Sequence, residues 1–197
     1  MAPSTSSTSL MALLLMLFPV LHVAAEAPTP LSSAQIILAA CKNVGSASTH
    51  VDVEFCQEAL GSVADAVHSL DYQDLAGLAV GLLIDNATST EGKIVRLLRE
   101  GGGGGVRLKE ENDAAVARCL QSCQSLYGGI IDGGPPCMSA VNAGKFGAAT
   151  AILEKAAVAA KECEDGFGKS SSTSLLTPED KDAYELAKLG AAFLRFA

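Results

Sequence analysis

Apolar residues recur at three- and four-residue steps along most of the chain, and each such stretch predicts one helix. The clearest pair lies between residues 116 and 163. Val116, Leu120, Cys123, Tyr127, Ile130 and Ile131 mark one face of a first run. Phe146, Ala149, Ile152, Leu153, Ala156, Ala160 and Cys163 mark one face of a second, which starts near Lys145. Between them, Gly133-Gly134-Pro135-Pro136 combines poor helix formers with residues that lack a backbone donor, and predicts a break. Amphipathic helices joined by a break are expected to lie antiparallel, stripe against stripe. Cys123 and Cys163 both sit on those stripes, so a disulfide between them would lock the pair.

Upstream, Ile36, Ile37, Ala40 and Cys41 follow Ser32-Ser33 and predict a short helix with Ser at its start. A loop of small residues from Gly45 to Thr49 leads to a second short helix from about Asp52, carrying Val53, Cys56 and Leu60. Cys41 and Cys56 flank that loop and could staple the hairpin, a ring worth about 3 kcal/mol in the chain-entropy view. Leu78, Ala79, Leu82, Leu83, Ala87, Ile94, Leu97 and Leu98 trace the longest stripe, with a soft spot near Thr88 to Gly92. Gly101 to Gly105 then reads as a flexible linker. It is no phosphate cradle, because Val106-Arg107-Leu108 follows it instead of Gly-Lys-Ser/Thr. Glu110 to Asp113 puts negative charge at the start of the next helix, where the dipole favours it. Thr177-Pro178-Glu179-Asp180 predicts a last helix with Thr177 as capping residue, and Ala183, Ala187, Gly190 and Leu194 as its inward stripe. The expected fold is all-α: an up-down-up-down four-helix bundle over 71–197, extended by a disulfide-stapled N-terminal helical hairpin over 26–70.

Composition changes this picture at the N-terminus. Leu10 to Val23 is the one long apolar run, closed by Val23-Ala24-Ala25, and reads as a signal peptide over residues 1–25 before a single domain over 26–197. It is short for a bilayer span and has no basic stop-transfer flank, so no membrane association is expected after its removal. The formal net charge of −8 gives no footprint for nucleic acid. Hydrophobic residues make up 49 % of the 197 residues, yet aromatics are 5 % and Trp is absent, which favours helix over sheet.

Six cysteines remain downstream of residue 25, and an oxidising compartment leaves fifteen pairings open on sequence alone. There is no Cys-x-x-Cys pair, and His50 and His68 are the only histidines in that part, so neither a metal nor a cofactor is expected. Asn86-Ala87-Thr88 is an N-glycosylation acceptor. No nucleophile–base constellation marks an enzyme. A secreted helical carrier of a small apolar ligand is one non-enzymatic reading, although the Ala-rich stripes suggest close packing rather than a cavity.

Four segments together carry a resemblance. They are Cys41-Lys42-Asn43 with Phe55-Cys56-Gln57-Glu58-Ala59-Leu60, then Cys123-Gln124-Ser125-Leu126-Tyr127, then Glu162-Cys163-Glu164-Asp165-Gly166-Phe167, and the helix from Thr177 to Phe196. In this order and spacing the chain resembles the plant invertase and pectin methylesterase inhibitor family, from Ala34 to Phe196. The resemblance implies a secreted protein, in the apoplast and cell wall or the vacuole, that plugs the active-site cleft of a plant acid invertase or of pectin methylesterase. It implies the disulfides Cys41–Cys56 and Cys123–Cys163. Cys119 and Cys137 are additions to the usual four. They are about 27 Å apart on a continuous helix, so the expected extra disulfide between them needs a sharp break at the Gly-Gly-Pro-Pro segment.

Invertase inhibitors of this family carry Pro-Lys-Phe at the start of a bundle helix, and it enters the substrate pocket. This chain has Gly144-Lys145-Phe146 at that place. A glycosidase cleft holds paired carboxylates, so the Lys145 ammonium would meet them while Phe146 fills an apolar wall. Gly144 in place of Pro implies a less rigid loop. The competing reading makes Phe146 merely the first core residue of its helix and Lys145 a solvated flank.

Overall fold

The computed structural model describes residues 32–62, 71–100 and 110–197, the last segment without the side chains of residues 110–113. The expected signal peptide and the glycine linker over 101–105 lie outside the described residues. Six helices are present among the described residues: α1 (Ser33–Ala47), α2 (Val53–Gly61), α3 (Tyr72–Arg99), α4 (Glu110–Asn142), α5 (Phe146–Lys169) and α6 (Thr177–Phe193). The described residues contain no strand.

Local chemistry sets most of the helix starts. Ser32 caps α1 in a reciprocal arrangement with Gln35, and Asp71 does the same for α3 with Asp74. The Asp52 carboxylate accepts from the Glu54 and Phe55 amides to start α2. Start-of-helix chemistry at α6 differs from expectation. Leu176 occupies the cap position without a side-chain hydrogen bond, and the Thr177 hydroxyl donates instead to Glu164 Oε1 on α5 at 2.8 Å. The soft spot near Thr88 to Gly92 stays helical, with the Thr88 and Thr90 hydroxyls donating back to the Ile84 and Asn86 carbonyls.

Helices α3 to α6 form an antiparallel bundle in which each packs against two neighbours. Ile84 lies against Gly134, the Cys123–Cys163 disulfide joins α4 to α5, Lys188 pairs with Glu154 across α6 and α5, and Lys93 pairs with Glu179 across α3 and α6. The stripes read from sequence face the common core. Ala79, Leu83, Ala87, Ile94, Val116, Leu120, Tyr127, Ala149, Leu153, Ala160, Ala183, Ala187 and Leu194 are all buried. Helices α1 and α2 form the hairpin, closed by Cys41–Cys56 with a Cα–Cα distance of 5.8 Å. The Asn43 amide ties it to the bundle by donating to Tyr72 Oη at 2.9 Å.

The Gly133-Gly134-Pro135-Pro136 segment is not a break. Helix α4 runs through both prolines to Asn142. Each proline removes one backbone donor and crowds the preceding turn, at a cost of about 3 kcal/mol in a helix interior. The burial of Cys137, Ala140 and Val141 beyond them opposes that cost. The glycine at 134 serves packing: a Cβ there would lie 2.6 Å from the Ile84 side chain.

The expected Cys119–Cys137 disulfide therefore does not form, because a continuous helix holds the two residues far apart. Both are buried free thiols facing α5. Cys119 Sγ lies 3.5 Å from the Gly166 carbonyl and 3.2 Å from Ser170 Oγ, and the Cys137 thiol donates to the Ala149 carbonyl at 3.7 Å. Burial pushes the Cys137 thiol up to about 11.

Candidate functional site

The break between the two central helices lies at residues 143–145, and its geometry follows from one glycine. Gly144 has φ +67°, in the left-handed region. Its amide donates to the Val141 carbonyl at 3.0 Å, and the Lys145 amide donates to the Ala140 carbonyl at 2.9 Å. These paired bonds make a Schellman turn, which satisfies carbonyls that a helix end leaves without partners. Gln73 Nε2, from the start of α3, also donates to the Val141 carbonyl at 3.0 Å.

Lys145 is thereby fixed through its main chain on both sides. Its carbonyl accepts from the Ala148 and Ala149 amides at 3.0 and 3.1 Å as α5 begins. Its side chain is exposed. Phe146 follows at the first helical position, half-buried and packed against the core. The structure thus sets an exposed ammonium next to a partly buried ring at the tip of the bundle. Far from being a loose substitute for proline, Gly144 supplies a backbone angle that proline, locked near −65°, cannot adopt.

The other residues singled out from sequence lie elsewhere. Asn86 sits in the middle of α3, half-buried, with Oδ1 buried and without a hydrogen-bond partner among the described residues. It borders a hollow of about 300 Å³ that is shared with Phe55, Leu82 and Leu186. The Cys41–Cys56 and Cys123–Cys163 disulfides are structural staples, the second spanning forty positions and worth about 4 kcal/mol in the chain-entropy view.

Sequence reasoning missed a polar cluster inside the other half of the bundle. Tyr127 is fully buried on α4, and its hydroxyl donates to Asp180 Oδ1 on α6 at 2.7 Å. Asp180 is itself 3 % exposed. Glu164 of α5 lies within hydrogen-bonding reach of it, and the neighbouring Glu179 is paired with Lys93 of α3 at 2.6 Å. Burial, then the surrounding carboxylates, push Asp180 up to about 7, against the opposing effect of the Tyr127 hydrogen bond. Burial and the Asp180 charge likewise push the Tyr127 phenol up. One signal was available: a tyrosine on an inward stripe needs a polar partner.

Among the described residues no cluster of His, Cys, Asp and Glu is arranged to hold a metal ion, and no helix is long and apolar enough to cross a membrane. Comparison with known proteins adds the family. The profile described as "Plant invertase/pectin methylesterase inhibitor" matches residues 35–192. Two similar proteins both carry the name "Putative invertase inhibitor". The one from Platanus orientalis is 27 % identical over 166 residues, covering 84 % of this chain and 91 % of its own length. The one from Platanus acerifolia is 26 % identical over 164 residues, covering 83 % and 86 %.

Proposed function

Because the chain belongs to the plant invertase/pectin methylesterase inhibitor family, we propose that it is a secreted protein that blocks the active-site cleft of a plant acid invertase. Members of the family inhibit one of those two enzyme classes rather than catalyse a reaction themselves. The observation that supports the invertase reading is the α4–α5 turn. Lys145 projects from a backbone held by four main-chain hydrogen bonds, so little backbone freedom is lost when it is bound. A glycosidase cleft presents a pair of carboxylates, and a lysine ammonium is the matching charge. Phe146 would offer its exposed edge to an apolar wall while its buried part anchors the start of α5. The names of the two Platanus relatives lean the same way.

Pectin methylesterase is the second reading, and Gly144 is what favours it. The family's invertase-directed pattern has proline at this place, whereas the backbone here is left-handed. A tip built differently is compatible with contacts made by the helical faces instead.

The deciding experiment measures inhibition constants of wild type and Lys145→Ala against an acid invertase and a pectin methylesterase, side by side, with the melting temperature of each sample. An exposed lysine contributes little to folding, so the variant keeps its melting temperature. Loss of a desolvated central anchor costs about 2 kcal/mol or more, roughly thirtyfold in the invertase inhibition constant. Undiminished invertase inhibition by folded Lys145→Ala moves the contact surface away from this turn. Inhibition of pectin methylesterase alone replaces the target.

A further inference from the structure

Three carboxylate oxygens in the polar cluster are buried and have no donor among the described residues: Glu164 Oε2, Glu179 Oε2 and Asp180 Oδ2. Leaving such oxygens unsatisfied is costly, and buried carboxylates facing one another do not all stay ionised. The cluster lies where three helices meet. Asp180 comes from the first turn of α6, Glu164 from the last part of α5, and Tyr127 from the middle of α4. Tyr127 already occupies Asp180 Oδ1, and Thr177 already occupies Glu164 Oε1. Glu179 Oε2 belongs to the carboxylate whose other oxygen is paired with Lys93. The remaining two, Asp180 Oδ2 and Glu164 Oε2, are on residues within hydrogen-bonding reach of each other. A single proton between them satisfies both.

We propose that the folded bundle holds one proton on Asp180, donated to Glu164, and that this proton is a pH-operated clamp fastening the start of α6 to α4 and α5. Among the described residues, the lysines around it are engaged with other carboxylates. Lys93 of α3 is paired with Glu179, and Lys161 of α5 is paired with Asp165. Lys181 of α6 reaches toward Glu185 on the same helix at 3.8 Å. Tyr127 donates its one proton to the other oxygen of Asp180. Tyr184 lines, with Asp180, Glu164 and Lys181, a hollow of about 480 Å³ beside the cluster.

The direction of the effect follows from where the proton is held more tightly. Asp180 titrates at 3.8 in the unfolded chain and at about 7 in the fold. The clamp's contribution is full below about pH 4, declines as the pH rises, and is gone above about pH 7, where Asp180 is charged in both states. Between those limits the folded-to-unfolded ratio falls by up to about tenfold per pH unit. Asp182 and Glu185, on the outer side of α6 toward Asp52 and Glu58 of the hairpin, are shifted upward by burial as well. The clamp is therefore read as a difference from a variant that lacks it.

Asp180→Asn provides that variant. Its amide oxygen still accepts from Tyr127, and its amide nitrogen donates to Glu164 at every pH. Urea unfolding of the full chain, disulfides intact, is measured from about pH 4.5 to 7.5 for both proteins. The expected result is a wild-type folded-to-unfolded ratio that falls relative to Asp180→Asn by at least about tenfold across that range. A constant ratio between the two overturns the proposal. Carboxyl carbon NMR tests it without unfolding. One carboxyl of the wild type should titrate near neutrality, and in Glu164→Gln, where the amide replaces the shared proton, the Asp180 midpoint should drop. If every carboxyl of the folded wild type titrates in the ordinary acidic range, the clamp does not exist, whatever the behaviour of Asp180→Asn.

Discussion

Replacing Gly144 with alanine tests the turn that carries the candidate site. The residue has φ +67°, and a Cβ built there meets nothing within 4 Å. Steric collision with a neighbour therefore contributes nothing, and the cost is purely one of backbone conformation. Placing an L-residue in the left-handed region costs about 1–2 kcal/mol. Alanine also restricts the unfolded chain, which offsets about 0.4–1 kcal/mol. The net expectation is a loss of about 1 kcal/mol, or about 2–4 °C in melting temperature for a domain of this size.

Asparagine, which visits the left-handed region more readily, should cost less than alanine. Proline should cost more than either. It removes the amide that donates to Val141 and demands a φ about 130° away from the one observed. Urea unfolding at fixed pH, with an unchanged denaturant slope, gives the order Gly, Asn, Ala, Pro from most to least stable. If alanine is as stable as glycine, the left-handed Schellman turn does not exist in solution. If proline is tolerated, the turn resembles the family's Pro-Lys-Phe pattern more than the structure indicates. Because an alanine loss near 1 kcal/mol leaves the protein folded, any larger loss of inhibition reports the placement of Lys145.

Two further outcomes test the packing of α4. Gly134→Val drives a branched side chain into Ile84, whose carbons lie 2.6 Å from the position of a Cβ. It should destabilise by about 1–3 kcal/mol, with part of that recovered by adding Ile84→Ala; a neutral single variant would mean that the helices do not approach so closely. Cys119 and Cys137 should both resist iodoacetamide in the native protein and both react once it is unfolded without reductant. Mass analysis showing no new alkylation on unfolding would reveal a third disulfide and a bent α4.

The stripes make most of the bundle legible, because burial at 3.6-residue period is imposed by the core itself. Val116, Leu120 and Tyr127, or Ala183 and Ala187, can be placed inward from their spacing alone. Gly133 to Pro136 departs from expectation because the rule against proline inside a helix is a local one, while the outcome depends on what lies beyond. Ile130, Gly134, Cys137 and Val141 continue the three- and four-step recurrence through the prolines, and that continuity outweighs the two lost donors. At the site, Lys145 and Phe146 are legible as a pair and as a helix start. The left-handed angle of Gly144 is not, because it depends on where α4 stops. Asp180 has the sequence context of an ordinary first-turn carboxylate serving the helix dipole. Only the packing of α6 on α4 shows that it points inward to Tyr127.

These two features lie at opposite ends of α5, and that separation gives each an independent meaning. Lys145 precedes the helix and Glu164 lies nineteen positions further on, about 28 Å along the axis. The Cys123–Cys163 disulfide stands beside Glu164 and pins α5 to α4 at the clamp end. Opening of α6 at its start would therefore be absorbed locally, since α5 is covalently tied to α4 there and the Schellman turn is closed by main-chain bonds at the far end. Charges about 28 Å apart, well beyond a Debye length of about 8 Å, do not sense one another directly. A change in inhibition that follows the protonation of Asp180 would thus have to travel through the packing of the bundle. Lys145→Ala should leave the pH dependence of unfolding untouched, just as Asp180→Asn should leave inhibition untouched wherever both proteins are folded.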